Sequence, residues 1–221
     1  MEKICMHCGA INNYESIYCS SCNRVFSDSD MRYLFIDTET SGLPRRRYAP
    51  YTDTTNWPRL VQIAWILCDQ NGNVLSEEEY IIKPEGFVIP FDAQNIHGIS
   101  NEKAVSMGKD LKLVLNRFSE AIDRSTHLVA HNLDFDFNVI GAEFVRKGIQ
   151  NRLTYLNRFC TMQGTTEYCQ IPGGPYDFKW PSLFELYYTL FSTPFEEKHD
   201  ALYDVKICKD CFFELIKRGI I

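Results

Sequence analysis

The sequence has no apolar run approaching the roughly 20 residues needed to cross a bilayer. Its start, Met1-Glu2-Lys3-Ile4-Cys5, also lacks the basic and then apolar segments of an export signal. A soluble cytoplasmic protein with no membrane partner is the expectation. Positive charge is scarce as well, with 23 Lys and Arg against 29 Asp and Glu and a formal net charge of -6. This argues against non-specific coating of nucleic acid, which depends on a broad basic surface. It leaves open a phosphodiester held locally, where each bound divalent cation brings two positive charges. Neither internal repeats nor low-complexity tracts occur. A hydrophobic content of 45% over 221 residues is enough for one α/β domain of ordinary size plus a small module.

An even cysteine count is missing too. Nine cysteines without an export signal argue against a disulfide framework. Cys5, Cys8, Cys19 and Cys22 instead form C-x2-C, ten residues, C-x2-C, with Gly9 right after the first pair. Each knuckle aims two thiolates at one point, and two knuckles make a tetrahedral site that suits one structural zinc. Four protein ligands leave no open position for water, so this module is expected to carry no chemistry. It resembles the short zinc ribbons at the ends of many microbial proteins. His7, inside the first knuckle, is a weaker candidate ligand. Residues 1–30 are read as the ribbon, ending in the polar link Ser27-Asp28-Ser29-Asp30, and residues 31–221 as the main domain.

From Met31 onward the pattern is that of an α/β domain. Strands are expected over Tyr33–Asp37, Val61–Cys68 and Glu79–Ile82, the last two joined by a turn at Asn71-Gly72, giving an antiparallel meander. Leu111, Val114, Leu115, Phe118 and Ile122 mark a helix; His127–His131 reads as a strand and Phe135–Lys147 as another helix. Ala201, Val205, Cys208, Phe212 and Leu215 form one apolar stripe of a final helix, which makes Cys208 core, and Cys211 is assigned to the core with it.

Three segments carry candidate chemistry. In "FIDTETSGLP" the alternation of a strand puts Asp37 and Glu39 on one face and turns Thr38 away. Two carboxylates that close repel unless cations lie between them, and hard oxygen ligands suit magnesium or manganese. The pair equally fits a solvated strand end before a turn at Gly42 and Pro44. In "HNLDFD" a strand runs into a helix bearing Asp134 and Asp136, where acids also suit the helix dipole. In "HDALYD", His199 and Asp204 would be rotated by roughly 140° within regular helix. His199 is therefore expected in the loop before the last helix, leaning over a site that Asp204 reaches.

In this order, D-x-E, H-N-x-x-F-D and H-x-A-x-x-D resemble the DEDDh (DnaQ-like) exonucleases, the family of the proofreading subunit of bacterial DNA polymerase and of ribonuclease T. The likeness covers about residues 31–221 and includes "WPRLVQIAW", "IHGIS" and "KWPSLFELY". It implies a ribonuclease H-like fold, a mixed five-stranded sheet flanked by helices. It also implies a 3'-to-5' exonuclease acting on nucleic acid 3' ends, single-stranded ones above all, and releasing nucleoside 5'-monophosphates. Asp37, Glu39, Asp136 and Asp204 would hold two magnesium or manganese ions, and His199 would be the general base. The motif selects the aspartate after Phe135, which leaves Asp134 as a surface or capping residue. Thr38 and Thr40 would contact the terminal nucleotide, Leu43 would wedge against its base, and His97 would approach the substrate or serve a turn.

Arg45-Arg46-Arg47, the only basic run, opens a long stretch up to Trp57-Pro58 that would clamp phosphates or lie solvated. "IPGGPYDFKWP", with Tyr176, Phe178, Lys179 and Trp180, fits a substrate loop and aromatic packing equally well. DNA is slightly favoured over RNA, and the ribbon is a candidate surface for a protein partner. The competing class is a non-catalytic nucleic-acid- or protein-binding module on the same fold.

Overall fold

The computed structural model describes residues 2–5, 8–13, 16, 18–22, 31–173, 177–196 and 198–221. His7, the 27–30 link and Tyr176 lie outside them.

The centre is a five-stranded sheet in the order β5-β4-β3-β6-β7. Its strands are β3 (Arg32–Thr40), β4 (Leu60–Asp69), β5 (Val74–Ile81), β6 (His127–Ala130) and β7 (Asn157–Cys160). The β3-β4-β5 meander is antiparallel, while β6 and β7 add parallel to β3. This is the mixed sheet expected of a ribonuclease H-like fold. In a separate antiparallel hairpin, β1 (Glu2–Ile4) with β2 (Ile11–Asn13), Cys5 and Cys8 lie in the connection, and Cys19 and Cys22 follow β2.

The period-2 pattern of β3 sorts its side chains to two cores. Leu34 and Ile36 face a cluster with Trp65, Leu128 and the inner faces of α3 (Leu111–Asp123) and α4 (Leu133–Lys147). Phe35 faces the other way, onto α8 (Ala201–Lys217), whose Ala201, Val205, Cys208 and Phe212 pack against it. The predicted stripe on α8 is buried at all five positions.

Two expectations are corrected. Strand β5 begins at Val74, five residues before Glu79; none of its residues is fully buried, and its Glu77-Glu78-Glu79 run hides any apolar alternation. Strand β3 continues to Thr40, so Asp37, Thr38 and Glu39 sit within paired strand, with a register shift only between Glu39 and Thr40. Residues 91–107 also hold α1 (Phe91–His97) and α2 (Asn101–Met107), for which the sequence pattern gave no signal. Further on come α5 (Thr161–Gly164), α6 (Thr166–Cys169) and α7 (Leu183–Phe191), the last closed by a Ser182/Glu185 capping box.

The stretch between β3 and β4 is built into the core. Arg146 of α4 donates to the carbonyls of Thr54, Trp57 and Pro58, and Trp57 donates to the Pro50 carbonyl at 3.2 Å. Buried Glu143 pairs with Arg59 and Arg146, both at 2.9 Å, and accepts the Leu60 N–H. Tyr51 rests on α4 where residue 141 is glycine; a β-carbon there would come within 2.7 Å of its ring.

Candidate active site

The odd-numbered face of β3 looks toward α8, so Asp37 and Glu39 follow Phe35 onto the side from which Asp204 approaches. The start of α8 is held there by the Ala201 N–H donating to Gln62 at 3.3 Å, and Gln62 stands opposite Glu39 in the ladder. Asp200 caps this helix, accepting from the Tyr203 N–H at 3.0 Å. His199 precedes the cap in a left-handed conformation (φ 46°), exposed and outside the helix. Ligand atoms of Glu39, His199 and Asp204 all lie within 4.8 Å of one another.

Asp136 arrives from the opposite side of β3. It is 3% exposed in the first turn of α4, and the Thr38 hydroxyl donates to its Oδ1 at 2.7 Å. Thr38 thus orients an acid with its side chain. The Thr40 hydroxyl is likewise engaged, donating to the Gly42 carbonyl at 2.7 Å. Asp134 is exposed. His97 is buried at the end of α1 with its Nδ1 accepting from the Ile99 N–H, and burial lowers its pKa against the opposing pull of the Thr40 backbone. Leu43 is 84% exposed, an apolar side chain standing free at the rim.

Electrostatically the site is one of crowded negative charge. Burial first, then the carboxylates of Asp136, Glu39, Asp204 and Asp200, push Asp37 well above the ordinary carboxylate range. Burial and its acidic neighbours, Asp204 first, raise Glu39 to about 8. Burial raises Asp136 to about 7 despite the Thr38 hydrogen bond. This strain and the all-oxygen set of hard donors fit divalent cations of the magnesium type. Asp200 is the member that the sequence reading passed over. An aspartate just before an apolar helical run was the available signal, since it marks an N-cap.

A carboxyl raised in the folded state binds its proton there more tightly than in the unfolded chain, so it supports folding below about pH 4 and loses that support as pH rises toward 8. Metal-free protein should therefore melt at progressively lower temperature from pH 5.5 to 8.5, and the stabilisation by added magnesium should grow over the same interval. Thermal melts in EDTA and in magnesium check it; a magnesium effect of constant size would contradict the assignment.

At the N-terminus, Cys5, Cys8, Cys19 and Cys22 bring their sulfurs within 4.8 Å of one another, a geometry able to hold a metal ion. Burial would raise the Cys19 thiol, but the backbone N–H groups of Cys22 and Ser21 and the sulfurs of Cys8 and Cys22 hold it at about 6. Arg152, in the segment before β7, donates to the Gly9 carbonyl at 3.0 Å.

Residues 34–212 match the RNase_T family model, described as exonuclease. Comparison with curated proteins gives no match. Among solved structures the chain is similar to E. coli exonuclease I. One structure, described as suggesting how processivity is achieved, gives a TM-score of 0.66 at 20% identity, covering 85% of this chain and 41% of that one. The complex with a dT13 oligonucleotide gives 0.66 at 20% over the same shares. The zinc-bound complex with single-stranded DNA gives 0.65 at 23%, again over 85% and 41%. The chain thus spans about two fifths of the length of these proteins, and likeness at such identity carries the fold alone. Among the described residues no helix is long and apolar enough to cross a membrane.

Proposed function

Because the chain belongs to the RNase_T exonuclease family, we propose that it removes nucleotides from the 3' ends of single strands, DNA ahead of RNA, and releases nucleoside 5'-monophosphates. The observation that carries this reading is the convergence of Asp37, Glu39, Asp136 and Asp204, with His199, at one end of β3. The 3'-to-5' direction rests on the order and spacing of the three motifs, and the preference for DNA on the dT13 and dA16 oligonucleotides bound by E. coli exonuclease I.

Asp37, Glu39, Asp136 and Asp204 would hold two divalent cations, magnesium or manganese, which when bound neutralise the phosphate and make water a better nucleophile. His199 takes the proton from the attacking water, and its place outside the helix lets the imidazole approach from the solvent side. Thr38 holds Asp136 through both its hydroxyl and its backbone, so it acts on the terminal nucleotide through that carboxylate. Thr40 and His97 contact the terminal nucleotide, and exposed Leu43 wedges beside its base.

The deciding experiment is digestion of a 5'-labelled single strand. A ladder shortening from the 3' end in magnesium and absent in EDTA is expected. Release of label as a mononucleotide at the outset would reverse the direction, and an intact strand would end the nuclease reading.

Cys5, Cys8, Cys19 and Cys22 would hold one structural zinc, with the ribbon serving as an accessory surface for a protein partner or a longer strand. Removing residues 1–30 should abolish zinc binding while leaving hydrolysis of short strands within about twofold. Elemental analysis and a rate comparison test this; a truncated protein that is folded yet inactive would contradict it.

A further inference from the structure

Resting on the reading of the site as one that cuts strand ends, we infer that the cavity beside the carboxylates is a slot for one unpaired nucleobase, closed by Arg47 and Trp180, and that this slot selects single strands. The cavity measures about 390 Å³, the size of a site for one small planar ligand. Asn132 and Trp180 line it and also line the adjoining cavity that contains His199 and Asp204. A strand with a phosphodiester at the carboxylates therefore has a neighbouring nucleotide within reach of the slot.

The walls suit a flat neutral group. Trp57 and Phe135 meet edge to face at 6.4 Å along one side. Tyr48, 86% exposed, and Leu43 offer open apolar surface on another. The Arg47 guanidinium lies 4.6 Å from the Trp180 ring centre and 5.7 Å from that of Tyr48. Aromatic rings and guanidinium planes are the surfaces on which unstacked bases are held without sequence preference. Asp134 stands on the rim, the Arg47 cation is engaged over Trp180, and Arg46 is paired to Asp53 at 2.8 Å. Asn132 and Gln163 supply polar groups for a base edge.

The slot is also preformed. Its Arg47 side belongs to the segment that Arg146, Glu143 and the Tyr51–Gly141 contact fasten to α4. Its Trp180 side immediately precedes the capped start of α7. A base still in a duplex is stacked and has its edge occupied, so it enters only after an unpairing that a single-stranded end does not require.

The test measures binding of 5'-fluorescent oligonucleotides carrying one abasic residue at each of the last three positions, with calcium replacing magnesium. For the wild type, one of the three abasic positions should weaken binding by about tenfold or more. In Trp180→Ala, and in the exposed-loop variant Arg47→Ala, that penalty should shrink to about twofold or less while the other positions keep theirs. Trp180→Phe, which restores a stacking face, should keep the penalty. The preference for a single strand over a recessed duplex end should fall along with it in both alanine variants. An unchanged abasic pattern in both alanine variants, or a uniform loss at every position, would overturn the slot. A wild type that shows the pattern yet never shortens a strand in magnesium would sink the nuclease reading alone. One that cuts but shows no abasic penalty would sink the slot alone.

Discussion

Replacing Asp204 with asparagine, or Asp37 with asparagine, should lower the rate of strand shortening by about 10³-fold or more, because each change removes a charge from the set proposed to hold the cations. The Asp204 change should also raise the melting temperature of the metal-free protein. Asp204 is one of the carboxylates that drive up the pKa of both Asp37 and Glu39, so neutralising it relieves repulsion in the empty site. Loss of activity with a gain in metal-free stability is the signature of a cation site, since a residue needed only for packing would lose both. The measurements are single-turnover hydrolysis in magnesium and thermal melts in EDTA. An active variant would remove that carboxylate from the centre.

His199→Asn should cost about 10²- to 10⁴-fold in turnover, the usual contribution of a general base. Asparagine is the informative replacement because His199 has a φ of 46°, a conformation that asparagine tolerates and alanine resists. The backbone should hold its place while the proton acceptor is lost. Magnesium stabilisation and strand binding should stay within about twofold of the parent. A variant that turns over at parental rates from pH 6 to 9 would take His199 out of the mechanism, and one that no longer responds to magnesium would recast it as a cation ligand.

Much of the architecture was readable before folding was considered. The meander, the strand at His127 and the stripe on α8 all carry strong period-2 or helical patterns, because each has one face buried against the sheet core. Strand β5 was half missed since an edge strand need not alternate in hydrophobicity, and α1 and α2 are too short for a period to register. At the site, the strand alternation that places Asp37 and Glu39 together could be derived. That Asp136 comes to the other face, bonded to Thr38, could not, because it depends on how α4 packs across β3. The Arg47–Trp180 contact was equally hidden: it joins two loops far apart in the chain, and of what read as a basic run Arg46 pairs with Asp53 and Arg47 lies over an indole ring.

The acidic run that obscured β5 has a consequence for how the molecule behaves among its own copies. An outermost strand presents unpaired backbone groups and can recruit another strand, which is how many sheets begin to aggregate. Along β5, Glu77 and Glu79 project on the α8 side, where Lys206 and Gln62 engage them, while Glu78 stands opposite Trp65 and points to the other face. Carboxylates therefore flank the edge on both sides. A second molecule adding its own β5 in register would set three acids against three, so this edge of the sheet disfavours pairing with its like.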